Sequence, residues 1–310
     1  MSDESPRCLW MNGEIVPWDR AIIHVSNLTI RLASSVFEGI RAYWNVEQRQ
    51  LYVFRLDDHL KRLMQSIAFV RMESRFSQAD LTESVLATIR ANEAHHDTYI
   101  FPLAYYGAGP FGWMGGAPTN LVITVAPTHS MLRSDEAIAC GVSSWTRISD
   151  NVLPPRIKCF ANYQNSALAA AEAARNGYHP HWGALLLNAQ GKVSEGAGAC
   201  LMLVRDGTLI TSPVTSGILD SVTRRSLIQI ARDILGVDVV EREVDRTELY
   251  SADEVFLCGT GAEVTPVGSI DHYQVGSGTI GPVTRRMRDA YHDLVRGIDS
   301  RYAEWRTGVY

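Results

Sequence analysis

The sequence predicts an α+β fold in two domains, and three observations carry that expectation. The chain has 310 residues, about two domains at roughly 150 residues each. Strand-like and helix-like segments mix along it without the regular alternation that builds a doubly wound parallel sheet. No period of about 20–50 residues recurs, which excludes a solenoid.

The elements follow in chain order. Leu51–Phe54 reads as a short strand. From Leu56 to Val70 the apolar residues Leu56, Leu60, Leu63, Met64, Ile67 and Ala68 fall at helical spacing, with Asp57 and Asp58 in the first turn, where carboxylates suit the helix dipole. Leu81, Val85, Leu86 and Ile89 repeat that spacing in a second helix. Tyr99–Tyr105 and Asn120–Ala126 read as strands around a glycine-rich turn. A linker is expected at 127–135, dividing a small α+β domain (1–126) from a larger one (136–310). The second part holds a strand-like run Ile138–Trp145 and an alanine-rich helix Asn165–Arg175. Strands follow at Ala184–Leu187, Leu201–Val204 and Thr208–Ile210. A helix Val222–Leu235, strands Val237–Val240 and Glu254–Leu257, and a helix Val283–Val295 complete it.

Composition narrows the function. Apolar residues make up 46% and charged residues 20%, an ordinary globular balance. The formal charge of −5 gives no basic footprint for nucleic acid. No apolar run approaches the roughly 20 residues that span a bilayer. Five scattered cysteines without a CxxC pair argue against a zinc cluster or disulfide framework, so no metal is expected and a reducing, cytoplasmic setting is. The polar N-terminus does not resemble a secretory signal. Motifs for dinucleotides, nucleotide phosphates, zinc proteases and serine hydrolases are missing.

Four segments carry chemistry: Ser35-Val36-Phe37-Glu38-Gly39-Ile40-Arg41, Arg156-Ile157-Lys158-Cys159-Phe160-Ala161-Asn162-Tyr163, Val193-Ser194-Glu195-Gly196-Ala197-Gly198 and Gly259-Thr260-Gly261-Ala262-Glu263-Val264-Thr265-Pro266. Lys158 lies between Ile157 and Cys159-Phe160, neighbours that can desolvate an amine nucleophile. Glu195 precedes small residues that allow a flat ring to approach. In this order and over nearly the whole chain, the segments resemble the fold-type IV (D-amino acid aminotransferase-like) pyridoxal-phosphate enzymes, nearest to branched-chain amino acid aminotransferases.

The resemblance implies a small α+β domain and a larger pseudo-barrel domain, with pyridoxal 5'-phosphate and substrate held between them. It implies that Lys158 forms the Schiff base and moves the proton, that Tyr163 bonds the cofactor's ring hydroxyl, and that Glu195 partners the ring nitrogen. Leu219, the amides of Val222 and Thr223, the Thr223 hydroxyl, Thr260 and Arg55 are implied for the cofactor and its phosphate. Where family members usually carry Pro-Gly, this chain has Asp220-Ser221, and Asp220 is expected to cap the following helix and point away. For substrate the resemblance implies Phe37, Gly39, Arg41, Tyr99, Trp145, Gly261 and Ala262. Family members also usually carry a tyrosine at the place of Arg31 and an arginine at that of Phe101. Either Arg31 supplies the positive charge for a carboxylate, or Phe101 makes that wall apolar and admits bulkier or carboxylate-free amines.

The expected activity is transamination between a branched-chain or other hydrophobic L-amino acid and a 2-oxo acid, with 2-oxoglutarate as the natural acceptor. A D-amino acid or (R)-amine transaminase, an aminodeoxychorismate lyase, a secondary-metabolism aminotransferase and a catalytically silent binding protein are the alternatives. A homodimer is expected, with a neighbour's loop near Gly107–Gly116, including Trp113 and Met114, completing the pocket. Neither a nucleic acid nor a membrane is an expected partner.

Overall fold

The computed structural model describes residues 5–109, 117–130, 132 and 135–310. The chain forms two compact units. The first holds residues 1–129, 157–161 and 293–310, and the second holds 130–156 and 162–292. The expected division into 1–126 and 136–310 therefore differs from the structure at two places. The segment around Lys158 and the last 18 residues both belong with the first unit. Their reason is pairing: Val36 bridges Cys159, and the C-terminal strand Arg306–Gly308 lies antiparallel on Gln50–Phe54.

The first unit is built on a sheet of eight described strands. β1 (Cys8–Met11) and β2 (Glu14–Pro17) form a hairpin in which Met11 pairs with Glu14. Its two loop residues, Asn12 and Gly13, have φ of 54° and 110°. An Asn-Gly loop is the sequence signature of such a turn, and it was the signal available for these strands. β3 (Ser35–Phe37) and β4 (Ile40–Asn45) carry the first motif, and β5 (Gln50–Phe54) follows. β6 (Thr98–Tyr106) and β7 (Thr119–Pro127) complete the centre, and both β3 and β4 pair with β6. The short helix α1 (Leu28–Leu32) precedes β3.

α2 (Leu56–Phe69) buries Leu56, Leu60, Leu63 and Ile67, as its apolar spacing predicts. α3 (Gln78–Ala91) starts on a reciprocal cap between Ser77 and Asp80 and packs on α2, β1 and β7. The glycine-rich loop expected to meet a neighbour lies, from residue 110 to 116, outside the described residues.

The second unit contains a sheet of nine described strands. They are β8 (Ile138–Val142), β9 (Ala184–Leu187), β10 (Val193–Gly196), β11 (Cys200–Arg205), β12 (Thr208–Thr211), β13 (Val239–Glu241), β14 (Glu254–Gly259), β15 (Glu263–Ile270) and β16 (Tyr273–Gln274). The order runs β10-β9-β8-β15-β14-β11-β12-β13, with β16 on β15. The sheet's two ends meet, because Val193 N–H donates to Val244 O at 2.9 Å and Lys192 bridges Asp245. The sheet is thus curled into an incomplete barrel. Inside it pack Cys140, Leu185, Val193, Leu201, Leu203, Leu257 and Val267.

Strand alternation sends Leu185 to this interior and Ala184 and Leu186 to the opposite face. That face receives Ala169 and Ala173 of α4 (Phe160–Arg175), whose small side chains let the helix lie close. α5 (Val222–Ile230) ends earlier than its pattern predicts and gives way to a single wide turn, Ala231–Leu235, before Gly236. α6 (Pro282–Val295) is the last helix. Among the described residues, no helix is long and apolar enough to cross a membrane.

Candidate active site

Lys158 belongs to the first unit. Phe37 N–H donates to Lys158 O at 2.9 Å, so the motif strand β3 pins the lysine's backbone. The Lys158 amine stands 4.7 Å from the centre of the Phe37 ring. Phe37 stacks on Phe160 at 4.4 Å and leans on Phe101 at 5.2 Å, so the ring beneath the amine belongs to a cluster of three aromatic rings. Phe160 was not picked out as a site residue, because nothing local distinguishes it from a helix-start core residue.

Next to Phe37 in the chain is a fully buried carboxylate, Glu38. Arg62 donates to both of its oxygens at 2.7 Å, and His59 Nδ1 donates at 2.8 Å. Burial pushes the Glu38 carboxyl up, but the Arg62 guanidinium and the His59 N–H outweigh it and hold it at about 2 against the usual 4.5. Burial also depresses His59; Glu38 opposes this, while Arg62 and Lys158 add to it. Both groups therefore bind fewer protons folded than unfolded, and stability falls as pH drops through their unfolded values. For Glu38 the window runs from about 4.5 down to about 2. Its loss is worth about 3 kcal/mol. Urea unfolding between about pH 6 and about pH 3 should show this decline, and Glu38→Gln should be less stable at neutral pH with a flatter profile. An unchanged slope in the variant would remove Glu38 as its source.

Arg55 sits at the start of α2 with φ of 52°, its Nε donating to Asp58 at 2.6 Å and its guanidinium 4.5 Å over Trp305. Arg41 and Tyr99 face each other across β4 and β6. Arg41 is buried and donates to His129 O at 3.1 Å. Gly39 has a steric reason: a Cβ there would run into the Tyr99 hydroxyl. Arg31 is exposed in the last turn of α1.

The second unit holds the remaining predicted residues. Glu195, on β10, is 5% exposed. Arg147 pairs with its Oε1 at 2.8 Å, and Leu219 N–H donates to its Oε2 at 3.1 Å. Sequence reasoning chose Trp145 from this stretch, but Trp145 is 45% exposed while Arg147, two residues on, is 6% exposed. The expected strand Ile138–Trp145 ends at Val142.

The helix expected to bind a phosphate begins at Val222. Its cap is Ser221, which accepts from Arg224 N–H at 3.2 Å, and not Asp220 as expected. Asp220 instead lies 3.5 Å from Arg225, directed along the helix flank. The first N–H groups of a helix have no acceptor within it, so those of Val222 and Thr223 are available to an anion. Thr223 is buried and Thr260 half-buried beside Gly261. A Cβ at Gly261 would lie 2.8 Å from Trp182, and one at Gly198 3.2 Å, so both glycines are close approaches to that ring. Ala262 is fully buried and Tyr163 half-buried on α4.

The model of class IV aminotransferases matches residues 35–270. The chain belongs to the class IV aminotransferases. This aminotransferase is 38% identical to the branched-chain-amino-acid aminotransferase of Escherichia coli K12, covering 96% of each chain. It is 35% identical to that of Pseudomonas aeruginosa, covering 97% of each. Among solved structures it resembles the branched-chain amino acid aminotransferase of Thermobaculum terrenum in its PLP-bound holo form. The two share 48% identity and a TM-score of 0.95, over 99% of this chain and 100% of the other. The α+β class expected from the sequence agrees with these relatives. Among the described residues, no cluster of three or more His, Cys, Asp or Glu could hold a metal.

Proposed function

We propose that the chain is a pyridoxal 5'-phosphate-dependent aminotransferase. It transfers an amino group between a branched-chain or other hydrophobic L-amino acid and a 2-oxo acid, with 2-oxoglutarate as acceptor. The observation that carries this reading is the half-buried Lys158 amine standing over Phe37, whose ring packs with Phe101 and Phe160. The residues present fit the cofactor. Glu195 offers a buried carboxylate and the start of α5 offers amides.

When bound, pyridoxal phosphate supplies an aldehyde that takes up the amino group and a ring that draws electrons from the substrate Cα. The chain's residues do the rest. The Lys158 amine would hold the cofactor covalently and, once the substrate's amino group has displaced it, would be free to carry the proton from Cα to the cofactor carbon. Glu195 holds the proton at the ring nitrogen, and Tyr163 donates to the ring hydroxyl. Leu219, Val222, Thr223, Thr260 and Arg55 bind and orient the cofactor and its phosphate. Arg41, Tyr99, Arg31, Gly261 and Ala262 receive the substrate carboxylate, while Phe37 and Phe101 exclude water from its side chain.

A homodimer fits the exposed apolar side chains of Ile15, Trp18, Ile22, Ile23, Val25, Ile30 and Leu32, which a second copy would cover. A cytoplasmic location suits five cysteines that are all free thiols.

The test is a half-reaction screen, in which holoenzyme is mixed with one amino donor at a time and the visible cofactor absorbance followed. Rapid bleaching by L-Leu and L-Glu is expected. A second reading, transamination of a carboxylate-free amine, is favoured by Phe101, which places an apolar ring where a guanidinium would read a carboxylate. Bleaching only by (R)-1-phenylethylamine would select it, and bleaching only by D-Ala would overturn the L-amino acid reading without selecting it. Gly39→Ala displaces the Tyr99 hydroxyl, so the KM for L-Leu should rise about tenfold, the worth of one hydrogen bond, in a folded protein. An unchanged KM would remove Tyr99 from the substrate site.

A further inference from the structure

Arg147 ties together three parts of the second unit. Its Nη2 lies 2.8 Å from Glu195 Oε1, its Nε donates to Gly217 O at 3.3 Å, and its Nη1 reaches Ser166 Oγ at 3.5 Å. Its backbone N–H is anchored on Leu187 O at 2.8 Å. Glu195 is held from its other side by Leu219 N–H at 3.1 Å and by the Cys200 thiol at 3.7 Å. Both members of the pair are buried, where an unpaired carboxylate is strongly disfavoured. A carboxylate has about four acceptor directions. Here they are shared among a guanidinium, an amide and a weak thiol donor, which leaves capacity for one further N–H.

We propose that Arg147 is a positioning residue for recognition of the cofactor's ring nitrogen. It keeps Glu195 as an oriented carboxylate with one acceptor direction open, so that the site selects a protonated pyridine nitrogen over an uncharged ring atom. The proposal rests on the reading of Glu195 as the ring-nitrogen partner. In this reading Arg147 acts through Glu195, which it holds at 2.8 Å.

The experiment measures binding to the apoenzyme of pyridoxamine 5'-phosphate and of its carbocyclic analogue, in which the ring nitrogen is replaced by CH. Wild type should prefer the nitrogen-containing ligand by about 100-fold, the worth of one hydrogen bond to a charged group. In Arg147→Gln the preference should fall below about tenfold. Arg147→Lys, which keeps the charge, should retain an intermediate preference, and it serves in place of the glutamine variant should that one not fold. A merely structural role for Arg147 would lower both affinities together and leave their ratio unchanged, and that result would overturn the proposal. No preference in wild type would instead show that the reading of Glu195 fails, and the proposal with it.

Discussion

Lys158→Ala is expected to give a folded protein that no longer holds its cofactor covalently. The visible absorbance of lysine-bound cofactor disappears, and sodium borohydride no longer fixes cofactor to the chain. Transamination falls at least about 10⁴-fold, because the variant loses both the positioned nucleophile and the base that moves the Cα proton. Folding survives because only the half-buried side chain is removed, while the backbone pairing of Lys158 O with Phe37 N–H remains. Absorbance spectra, borohydride trapping and a single-turnover rate with L-Leu measure the three effects. A variant that keeps the band and its turnover would place the covalent link elsewhere.

Glu195→Ala is expected to separate binding from proton movement. Lys158 is intact, so the covalent link still forms. Without an acceptor at the ring nitrogen, the electron withdrawal that acidifies Cα is lost, and the proton shift slows by about 10³-fold or more. The substitution also strands Arg147, a buried guanidinium whose closest anionic partner is gone. Breaking such a pair costs about 3–5 kcal/mol of stability. Stopped-flow spectroscopy with L-Leu reports the first effect and urea unfolding the second. Near-normal turnover would take Glu195 away from the ring nitrogen. Unchanged stability would show that water reaches the stranded charge.

Much of the fold was legible where the signal was local. The spacing of Leu56, Leu60, Leu63 and Ile67 places α2, and a short apolar run places β9 at Ala184–Leu187. The first hairpin had its signal in Asn12-Gly13. Other elements had none. The C-terminal strand Arg306–Gly308 is three residues long and exists because Gln50–Phe54 offers it an edge. Asp220 and Ser221 are both good caps by type, and only the chain's path into α5 selects Ser221.

Residue identity and order carry the family and the chemistry proposed for it: an amine at Lys158, a carboxylate at Glu195 and a helix start at Val222. Each depends on residue identity and near neighbours, which one strand or turn can express. Which charges pair is settled by the folded chain. Glu38 meets Arg62 across 24 positions, and Arg147 on one segment meets Glu195 on another. Before folding, each of these side chains is a solvated surface charge like any other. Burial raises the cost of leaving it alone, so the partner it finds in the folded chain, unseen in local sequence, sets what it can do.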